Sequence, residues 1–509
     1  MKKKICFWIN KNFVQYGLAN KFKNNSDYEL YGIVDGNKSL QNFVENQNLI
    51  NFKKIFNFVN KIEKKPDLAY LKSFEERYEI NLVHIAYTDR LFYKEYNKYY
   101  SFSHEEILSL LENECRFFES ILDEIKPDYV LLGLFNQQYQ YLLYQMCQRK
   151  SISMIFLEPM RFGDRFLVTD QMFYDPEGTP EKIQIHAEKK SKKEILSFFK
   201  EFKPLRFYKQ INPTSTYKPK KLDKIKAFSN FLLTSDALDD MYANYGKTKK
   251  NILLKGTASV NSVITKRRVS FIDKNFEKKI PENSPFIYFP MHVDPEKVLL
   301  MGAPYFTDQI PVIKNIAKSI PVDFKLYVKE HPGMKWVGWR PESYYKDILN
   351  IPNVVLVHPS VSSEEIMKKS SLVITIRGTS SLEAAFYEKP SIVFFPEIGY
   401  ETLSAIHILS DISELPTAIR TSLKKQVNLL DLSDYIRFTE KNSFELSTEK
   451  FNFEMSQRLK YNVGYLYDQE ISETEMTSLL DDYDWLFSML YEKYYEKIKQ
   501  TNNLGNNKN

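Results

Sequence analysis

Residues 371–395 read SLVITIRGTSSLEAAFYEKPSIVFF, and this stretch decides the fold. Its two apolar ends, 372–376 and 391–395, have the length and the β-branched content of buried strands. The Gly-Thr-Ser-Ser run between them leads into a short segment that predicts a helix, with Thr379 or Ser380 as its cap. The order strand, glycine turn, helix, strand is typical of a parallel α/β sheet.

The turn between the two strands also offers hydrogen-bond donors. Backbone N–H groups are unpaired where the helix begins, and the hydroxyl groups of Thr379, Ser380 and Ser381 lie beside them. Donors of both kinds are what a phosphate group needs. The sequence therefore predicts that residues 378–381 hold a phosphate.

Length and composition favour a globular chain with more than one domain. At 509 residues the chain is too long for one ordinary core, and 43% hydrophobic with 27% charged residues excludes wholesale disorder. Cys6, Cys115 and Cys147 share no pattern, so neither a disulfide framework nor a zinc site is predicted, and a reducing compartment is favoured. No stretch approaches the roughly 18 apolar residues of a membrane span. We expect a cytoplasmic protein.

The basic residues are unevenly distributed. The net charge is only +6, but lysines are dense between residues 182 and 226. They indicate either a solvated surface or attraction to an anionic polymer or anionic lipids, which would hold the protein at the inner face of the cell membrane. Nucleic acid is not an expected partner, because no recognisable reading motif accompanies the charge.

The chain is predicted to contain two α/β units. Residues 1–210 form the first unit, 211–280 a helical connector, 281–410 the second unit, and 411–509 a helical C-terminal segment. Apolar strands that alternate with helices indicate a parallel sheet covered on both faces. In the first unit these strands are predicted at 4–9, 29–34, 128–135 and 152–157.

The last strong element is a single predicted helix. It begins at a capping box at Ser472 and runs to about Lys499, and the residues after it are expected to fray. Its apolar face is spaced at helical intervals. The residues of that face are Met476, Leu479, Leu480, Tyr483, Leu486 and Leu490.

Two Rossmann-like units followed by a helical segment are the layout of the GT-B glycosyltransferase fold. In such folds the ligand lies in the cleft between the carboxyl ends of the two sheets. The predicted strand at 324–328 leads into Lys329-Glu330-His331-Pro332, which places His331 at that cleft. An imidazole there can donate to a phosphate oxygen or a ring hydroxyl. The loop of His331 and the turn at 378–381 are predicted to converge on one anion.

The second unit resembles a known family. Its segments FPMHVDPE, LYVKEHPGMKW and VITIRGTSSLEAAFYEKPSIVF, between residues 285 and 400, resemble the capsular polysaccharide biosynthesis family. That family includes GT-B enzymes that use the sugar Kdo activated by CMP. LEPMRFGDRF at 157–166 is a weaker echo. The unit is similar, more loosely, to bacterial sialyltransferases, in which a His-Pro pair and a Ser-Ser/Thr pair hold CMP.

The resemblance implies a donor site in this sequence. His331 and Pro332 match the His-Pro pair, and Ser380 and Ser381 match the hydroxyl pair. The CMP-linked donor is the only small molecule implied, and no separate cofactor is expected. The predicted donor-binding residues are His292, Lys329, His331, Pro332, Gly378, Thr379, Ser380, Ser381 and Glu383.

Some residues of this site keep open alternatives. The resemblance implies that Gly378 and Thr379 shape the turn and that Glu383 contacts the ribose. Arg377 stands where family members often carry a small polar residue, and it would either add charge to the phosphate site or face solvent. His292 would either face the donor or pack under the turn at 294–296.

The acceptor side is predicted in the first unit. Glu158 follows a predicted strand, and Arg161, Asp164 and Arg165 come shortly after it. Sugar transfer needs a base or a nucleophile, so Glu158 and Asp164 are the candidate catalytic carboxylates. Arg161 or Arg165 could hold a sugar carboxylate as a fork. The alternative is an Arg–Asp pair on a surface loop. No paired-aspartate metal motif is visible, which favours a metal-independent reaction.

The sequence supports one main hypothesis and two rivals. The main hypothesis is transfer of a sugar, acidic like Kdo or sialic acid, from CMP onto a surface polysaccharide or glycolipid. One rival is a CDP-glycerol-type phosphotransferase, whose donor site is also formed by two loops at the ends of strands. The other rival is a binding protein that keeps the fold without catalysis.

Overall fold

The structure is a computed structural model. It describes residues 2–36, 38–59, 65–90, 92, 101–160, 163–172, 186, 188–201, 257–282, 284–294, 296–446, 451, 454–455 and 470–506.

The N-terminal unit is built on a seven-stranded sheet of order β13-β6-β5-β4-β1-β2-β3. Strands β1 to β5 pair in parallel, whereas β6 and β13 pair antiparallel at one side. The central strands β1, β4 and β5 are mostly apolar and buried because helices cover both of their faces, whereas the edge strand β3 has no buried residue. The strands are β1 (Lys3–Asn10), β2 (Tyr28–Asp35), β3 (Lys54–Asn57), β4 (Tyr129–Leu134), β5 (Ser153–Pro159), β6 (Arg165–Thr169) and β13 (Ser443–Glu445).

In the part of the chain that the structure describes, seven α-helices come before residue 257, where the connector helix begins. The longest of them begins at a capping box, in which the Ser103 hydroxyl accepts from the Glu106 amide and the Glu106 carboxylate accepts from the Ser103 amide. These helices are α1 (Val14–Phe22), α2 (Lys38–Asn46), α3 (Leu68–Tyr78), α4 (Leu82–Tyr87), α5 (His104–Ile125), α6 (Gln138–Arg149) and α7 (Lys192–Glu201).

The C-terminal unit is built on a six-stranded parallel sheet of order β12-β11-β10-β7-β8-β9. Its strands are β7 (Phe286–Pro290), β8 (Lys325–Lys329), β9 (Val354–Val357), β10 (Leu372–Thr375), β11 (Ser391–Val393) and β12 (Ile406–Ile408). Its helices, with the connector helix first, are α8 (Thr257–Asn275), α9 (Lys297–Leu300), α10 (Gln309–Ser319), α11 (Met334–Val337), α12 (Glu342–Leu349), α13 (Ser363–Lys369), α14 (Ser380–Phe386), α15 (Leu415–Leu423) and α16 (Ser433–Asn442).

Both sheets reverse their strand order next to their first strand. In the N-terminal sheet the reversal lies between β1 and β4, and in the C-terminal sheet it lies between β7 and β10. Ligands of open α/β sheets bind outside the carboxyl ends of the strands at such a reversal. The fold therefore identifies the ends of β7 and β10 as the place to look for a site.

The two units contact each other near the carboxyl ends of their strands. Lys297, which follows β7, donates to Glu158 at the end of β5, with 3.1 Å between Nζ and Oε2. Met301 packs in the core of the N-terminal unit. The rings of His84 and Tyr305 lie 6.2 Å apart across the same junction. Two Rossmann-like units that contact each other near the carboxyl ends of their strands confirm the predicted α/β, GT-B-like fold class.

The C-terminal segment returns to both units. It is mostly helical, as expected, but it also contributes β13, whose three residues pair with β6 of the N-terminal sheet. Leu415 and Ile419 of α15 belong instead to the core of the C-terminal unit. Much of the predicted connector, residues 211–256, lies outside the described residues. The domain boundaries at 210, 280 and 410 stay predictions.

The predicted last helix is two helices, α17 (Glu473–Asp482) and α18 (Asp484–Asn506). Asp481 and Asp482 lie in the last turn of α17, where the negative end of the helix dipole repels a carboxylate. Asp484 lies in the first turn of α18, where the positive end of the dipole stabilises a carboxylate. The predicted apolar face is buried as expected. The prediction that the chain frays after Lys499 is wrong for the residues up to Asn502. These residues continue helix α18, and the Asn502 side-chain oxygen accepts from Lys3 and from the Tyr129 hydroxyl.

The described part of the predicted basic run is occupied by ion pairs. Lys189 contacts Asp434 at 2.6 Å, and Lys192 contacts Glu388 at 3.0 Å. Most of the run lies outside the described residues. In the part of the chain that the structure describes, no helix combines the length and the apolar content needed to cross a membrane. The three cysteines are buried free thiols.

Candidate functional site

Three neighbouring strand ends form the candidate site. His292 follows the central strand β7, His331 follows β8, and the turn of Gly378, Thr379 and Ser380 follows β10. All five residues are partly exposed. The amide nitrogen of Arg377, one residue before the turn, lies 3.4 Å from Nε2 of His292. The loops after β7 and β10 therefore meet at His292, and His331 follows the strand on the other side of β7. Convergence of the His331 loop and the turn at 378–381 on one anion stays a prediction.

His331 is oriented by the glycine turn that follows it. The amide nitrogen of Gly333 donates to Nδ1 of His331 over 3.0 Å. A Cβ atom at Gly333 would lie 2.9 Å from the same Nδ1, so a larger residue would displace the ring. Burial lowers the pKa of His331 to about 4, and the positive charge of Lys329 lowers it further in the same direction. Pro332 is exposed at the rim.

The loop after β7 is held from two sides. The Gln309 side chain accepts from the His292 amide at 2.8 Å and donates to the His292 carbonyl at 3.1 Å. The guanidinium of Arg340 donates to the same carbonyl at 2.7 Å. These bonds place the ring beside the turn after β10. A role of His292 in donor binding stays a prediction. Burial lowers the pKa of His292 to about 3, and His331 is the next cause.

The Gly378 turn has the geometry of a binding loop. Gly378 adopts φ of +106°, a conformation that side chains strongly disfavour. The Ser381 hydroxyl is buried and donates to the Gly378 carbonyl at 3.1 Å, so Ser381 supports the turn from inside. Thr379 is the N-cap residue of helix α14, one of the two predicted caps, but its hydroxyl donates to Glu383 at 2.8 Å instead of accepting from a backbone amide. Ser380 is partly exposed at the mouth of the site.

Arg377 has neither of its predicted positions. It is buried, and its Nε and Nη2 atoms bind the two carboxylate oxygens of Glu397 at 3.0 and 2.9 Å. Its Nη1 atom donates to the Gly302 carbonyl at 3.1 Å. A buried guanidinium requires such partners. Arg377 therefore braces the Gly378 turn against the loops after β7 and β11.

Lys329 is turned away from its predicted role. Its side chain is buried, and Nζ donates to the Ser363 hydroxyl at 2.9 Å, next to strand β9. Burial lowers the pKa of Lys329 to about 8. Glu383 is also buried and engaged by Thr379, so it shapes the turn rather than opening onto the mouth.

A buried charge cluster that the sequence did not indicate lies below the two histidines. Arg340 donates through Nε to Glu330 at 2.8 Å and through Nη1 to Asp294. The Tyr345 hydroxyl donates to Glu330 at 2.9 Å. The cluster joins the loops that carry His292 and His331. Arg340 lies in an irregular loop without a strand or a motif around it, so no signal in the sequence marked it.

The predicted acceptor-side residues are dispersed. Glu158 is buried and paired with Lys297 of the other unit. Asp164 lies in the turn between β5 and β6, where burial and then Glu445 raise the pKa of its carboxyl. Arg165 donates to the Ser443 hydroxyl at 2.8 Å and so holds β13, which removes it as a sugar ligand. Arg161 lies outside the described residues.

Asp35 is a carboxylate of the N-terminal unit, at the end of a strand, that sequence reasoning did not single out. It ends β2, and one of its oxygens accepts from the Trp8 indole at 3.1 Å and from the Tyr139 hydroxyl at 2.7 Å. The Trp8 and Tyr139 rings are stacked at 5.5 Å, which makes this support rigid. A lone aspartate before a glycine indicated only a turn in the sequence.

The described residues contain no group of three or more His, Cys, Asp or Glu side chains arranged to hold a metal ion. The predicted metal-independent reaction is not tested by this observation and stays a prediction.

The depressed histidine pKa values predict acid-sensitive stability. Below pH 6.5 the unfolded chain binds protons that folded His292 and His331 reject, so stability should fall as the pH drops toward 4. At pH 5 we expect each histidine to cost about 2 kcal/mol. Urea unfolding at pH 7 and pH 5 measures this loss.

His331→Gln should lose less stability between pH 7 and pH 5 than the wild type. His104→Gln is the matched control, because His104 is exposed in the first turn of α5 and should leave the loss unchanged. Equal losses in His331→Gln and the wild type would show that the folded protein does not hold His331 neutral.

Comparisons with known proteins add a fold-level likeness only. The sequence matches no protein-family model and no curated protein. One similar structure is Thermosulfurimonas dismutans KpsC, a β-Kdo 2,7 transferase, with 12% identity and a TM-score of 0.31 over 68% of this chain and 90% of that chain. The β-Kdo 2,4 transferase of the same KpsC has 11% identity and a TM-score of 0.29 over 60% and 78%.

A UDP-GlcNAc 2-epimerase from Methanocaldococcus jannaschii is also similar, with 13% identity and a TM-score of 0.23 over 87% of this chain and all of that chain. TM-scores this low establish neither a family nor an activity. The class of this protein rests on its own architecture: two parallel sheets, each reversed beside its first strand, joined near their carboxyl ends. The chain has a GT-B glycosyltransferase-like fold.

Proposed function

We propose that this protein is a glycosyltransferase that moves an acidic sugar, similar to Kdo or sialic acid, from CMP to a polysaccharide or glycolipid acceptor. The observation that carries the proposal is the position of His292, His331 and the Gly378 turn at the ends of β7, β8 and β10, beside the strand-order reversal of the C-terminal sheet. The CMP-linked donor is supported by the sequence resemblance between residues 285 and 400.

The site offers the donors that a phosphate ester needs. Ser380 is a partly exposed hydroxyl residue in the turn after β10, and the two imidazoles follow β7 and β8. Arg377 and Arg340 are bound by carboxylates of the protein, and Lys329 is bound by Ser363. The phosphate is therefore proposed to be held mainly by neutral hydrogen-bond donors.

The acceptor is proposed to enter from the N-terminal unit. Transfer forms the bond between the acceptor oxygen and the anomeric carbon, breaks the bond from that carbon to the phosphate oxygen, and releases CMP. A general base must take the acceptor proton, and a carboxylate can serve as that base. Glu158 and Asp164 are the candidates from the sequence, and Asp35 adds a rigidly held third.

A thermal-shift screen against CMP, CDP, UDP and GDP tests the donor class. CMP at 100 times its Kd should stabilise the folded protein by about 2.7 kcal/mol, and the other nucleotides should stabilise it less at the same concentration. A larger shift with UDP or GDP would contradict the CMP-linked donor.

Analysis of the product separates sugar transfer from phosphotransfer. Both reactions release CMP, but only transfer of a glycerol phosphate leaves phosphorus in the product. We expect a phosphorus-free product. Phosphorus in the purified product would overturn the proposed glycosyltransferase.

A further inference from the structure

The hydrogen bond from Gly333 fixes the protonation of His331. A backbone amide nitrogen always carries its proton and can only donate, so the ring nitrogen that it faces must accept. The Gly333 amide faces Nδ1 of His331 at 3.0 Å. Nδ1 therefore has no proton, and the neutral ring carries its single N–H at Nε2.

The contacts of His292 assign it the other tautomer, with the ring proton at Nδ1. Its Nε2 atom faces the amide nitrogen of Arg377 at 3.4 Å. The Thr375 hydroxyl lies 3.3 Å from the same Nε2 and 3.0 Å from the Arg377 carbonyl. Because the Arg377 amide can only donate, Nε2 of His292 must accept. The single N–H of His292 is then at Nδ1.

We propose that His292 and His331 form a two-imidazole anion site, in which neutral His292 donates through Nδ1–H and neutral His331 donates through Nε2–H to the phosphate of the nucleotide. The choice of a nucleotide as the anion rests on the proposed function. The arrangement of the two N–H groups rests on the backbone geometry of two separate loops.

The charged groups around the pair favour this neutral state. Burial is the largest cause that keeps His292 neutral; a proton on His331 and the positive charges of Arg340 and Arg377 also oppose its protonation, while Glu397 favours it. Burial outweighs Glu397 and lowers the pKa of His292 to about 3.

His331 is subject to the same balance. Lys329 opposes its protonation, Glu330 accepts from its backbone amide, and Lys335 is exposed on helix α11 nearby. Burial, the largest cause, lowers the pKa of His331 to about 4. Both rings are thus neutral near pH 7.

The consequence is binding without proton uptake. An anion held by an imidazolium binds more weakly as the pH rises through the imidazole pKa, because the charge is lost. An anion held by two neutral N–H groups keeps its affinity over this pH range. Between pH 6.5 and 8 the Kd should therefore change by no more than about twofold. This comparison uses a ligand whose phosphate is dianionic throughout, or a Kd corrected for the titration of the phosphate.

Long-range ¹⁵N–¹H NMR of histidine-labelled protein reads the tautomers directly. His331 should show the Nε2–H form and His292 the Nδ1–H form at pH 7, before and after nucleotide is added. Two protons on either ring in the complex would overturn the proposal. The reverse tautomer on either ring would also overturn it. Replacing each residue in turn assigns the signals.

Amide side chains provide matched variants for the binding test. The Asn amide nitrogen can occupy the place of Nδ1, and the Gln amide nitrogen can occupy the place of Nε2. His292→Asn and His331→Gln should therefore keep nucleotide affinity within about threefold, whereas His292→Gln and His331→Asn should lose about tenfold. Losses of the same size in all four variants, each shown to be folded by its melting temperature, would indicate that an imidazolium is required.

Calorimetry in two buffers of different ionisation enthalpy completes the test. The probe is whichever of CMP, CDP, UDP and GDP binds the wild type most tightly at pH 7. Equal binding enthalpies in the two buffers are expected, and uptake of about one proton per nucleotide would overturn the proposal. If UDP is the tightest ligand, the proposed CMP donor is wrong while the two-imidazole site is still tested. If no nucleotide binds the folded protein, both proposals are wrong.

Discussion

Replacing Arg340 by methionine is expected to lower the free energy of unfolding by about 3–5 kcal/mol. Arg340 is buried against Glu330 and Asp294, and it also donates to the His292 carbonyl. Methionine keeps much of the volume but leaves the buried Glu330 carboxyl and the partly buried Asp294 carboxyl without their cation. The loss comes mainly from those unpaired charges rather than from a cavity.

Urea unfolding of Arg340→Met and of Arg267→Met measures this loss against a matched control. The Arg267 guanidinium contacts Glu342 at 2.7 Å, but its side chain is 79% exposed. An exposed pair of this kind contributes no more than about 1 kcal/mol. Equal losses in the two variants would contradict the buried cluster as a support of the two histidine loops.

Ser380→Ala is expected to weaken CMP binding about ten- to a hundredfold with a nearly unchanged melting temperature. A hydroxyl that meets a charged phosphate oxygen contributes about 1.5–3 kcal/mol. Ser380 is the partly exposed hydroxyl at the mouth, whereas Ser381 is buried and bonded to the Gly378 carbonyl. Ser381→Ala should instead cost about 1 kcal/mol of stability and leave most of the affinity.

The two serine variants are each other's controls, because they are neighbours in one short helix. Melting temperatures and CMP titrations of both variants distinguish the two roles. Unchanged CMP affinity in Ser380→Ala would mean that the turn only begins helix α14. A loss of affinity confined to Ser381→Ala would place the phosphate elsewhere.

The fold could be predicted from the sequence because its strands are continuous apolar runs. The stretch from Leu372 to Val393 gave β10, the Gly378 turn, α14 and β11 in the correct order. Burial on both faces makes such strands apolar at every position, and that pattern is local. The strand β13 could not be found in this way, because three residues of a mixed pattern pair only through their place beside β6.

The sequence predicted the residues that line the candidate site, but not the contacts of the buried charged residues that hold its loops in place. His331 and the Gly378 turn follow predicted strands, so their position at the carboxyl ends of the sheet followed from topology. The roles of Arg377 and Lys329 depend on partners far along the chain, Glu397 and Ser363, which no local pattern connects to them. The clamp by Arg340 is missed for the same reason. A side chain that neutralises a buried charge can be recognised only from its contacts in the folded protein, and not from a local sequence pattern.

The account's central claim is that a nucleotide phosphate binds between the ends of β8, β7 and β10. Titration of CMP into protein labelled at its seven histidines tests the claim most directly, with ring signals assigned by single replacements. The signals of His292 and His331 should shift together and saturate with one common Kd, while those of His104 and His358 stay in place. Saturable CMP binding that leaves His292 and His331 unshifted would contradict the account.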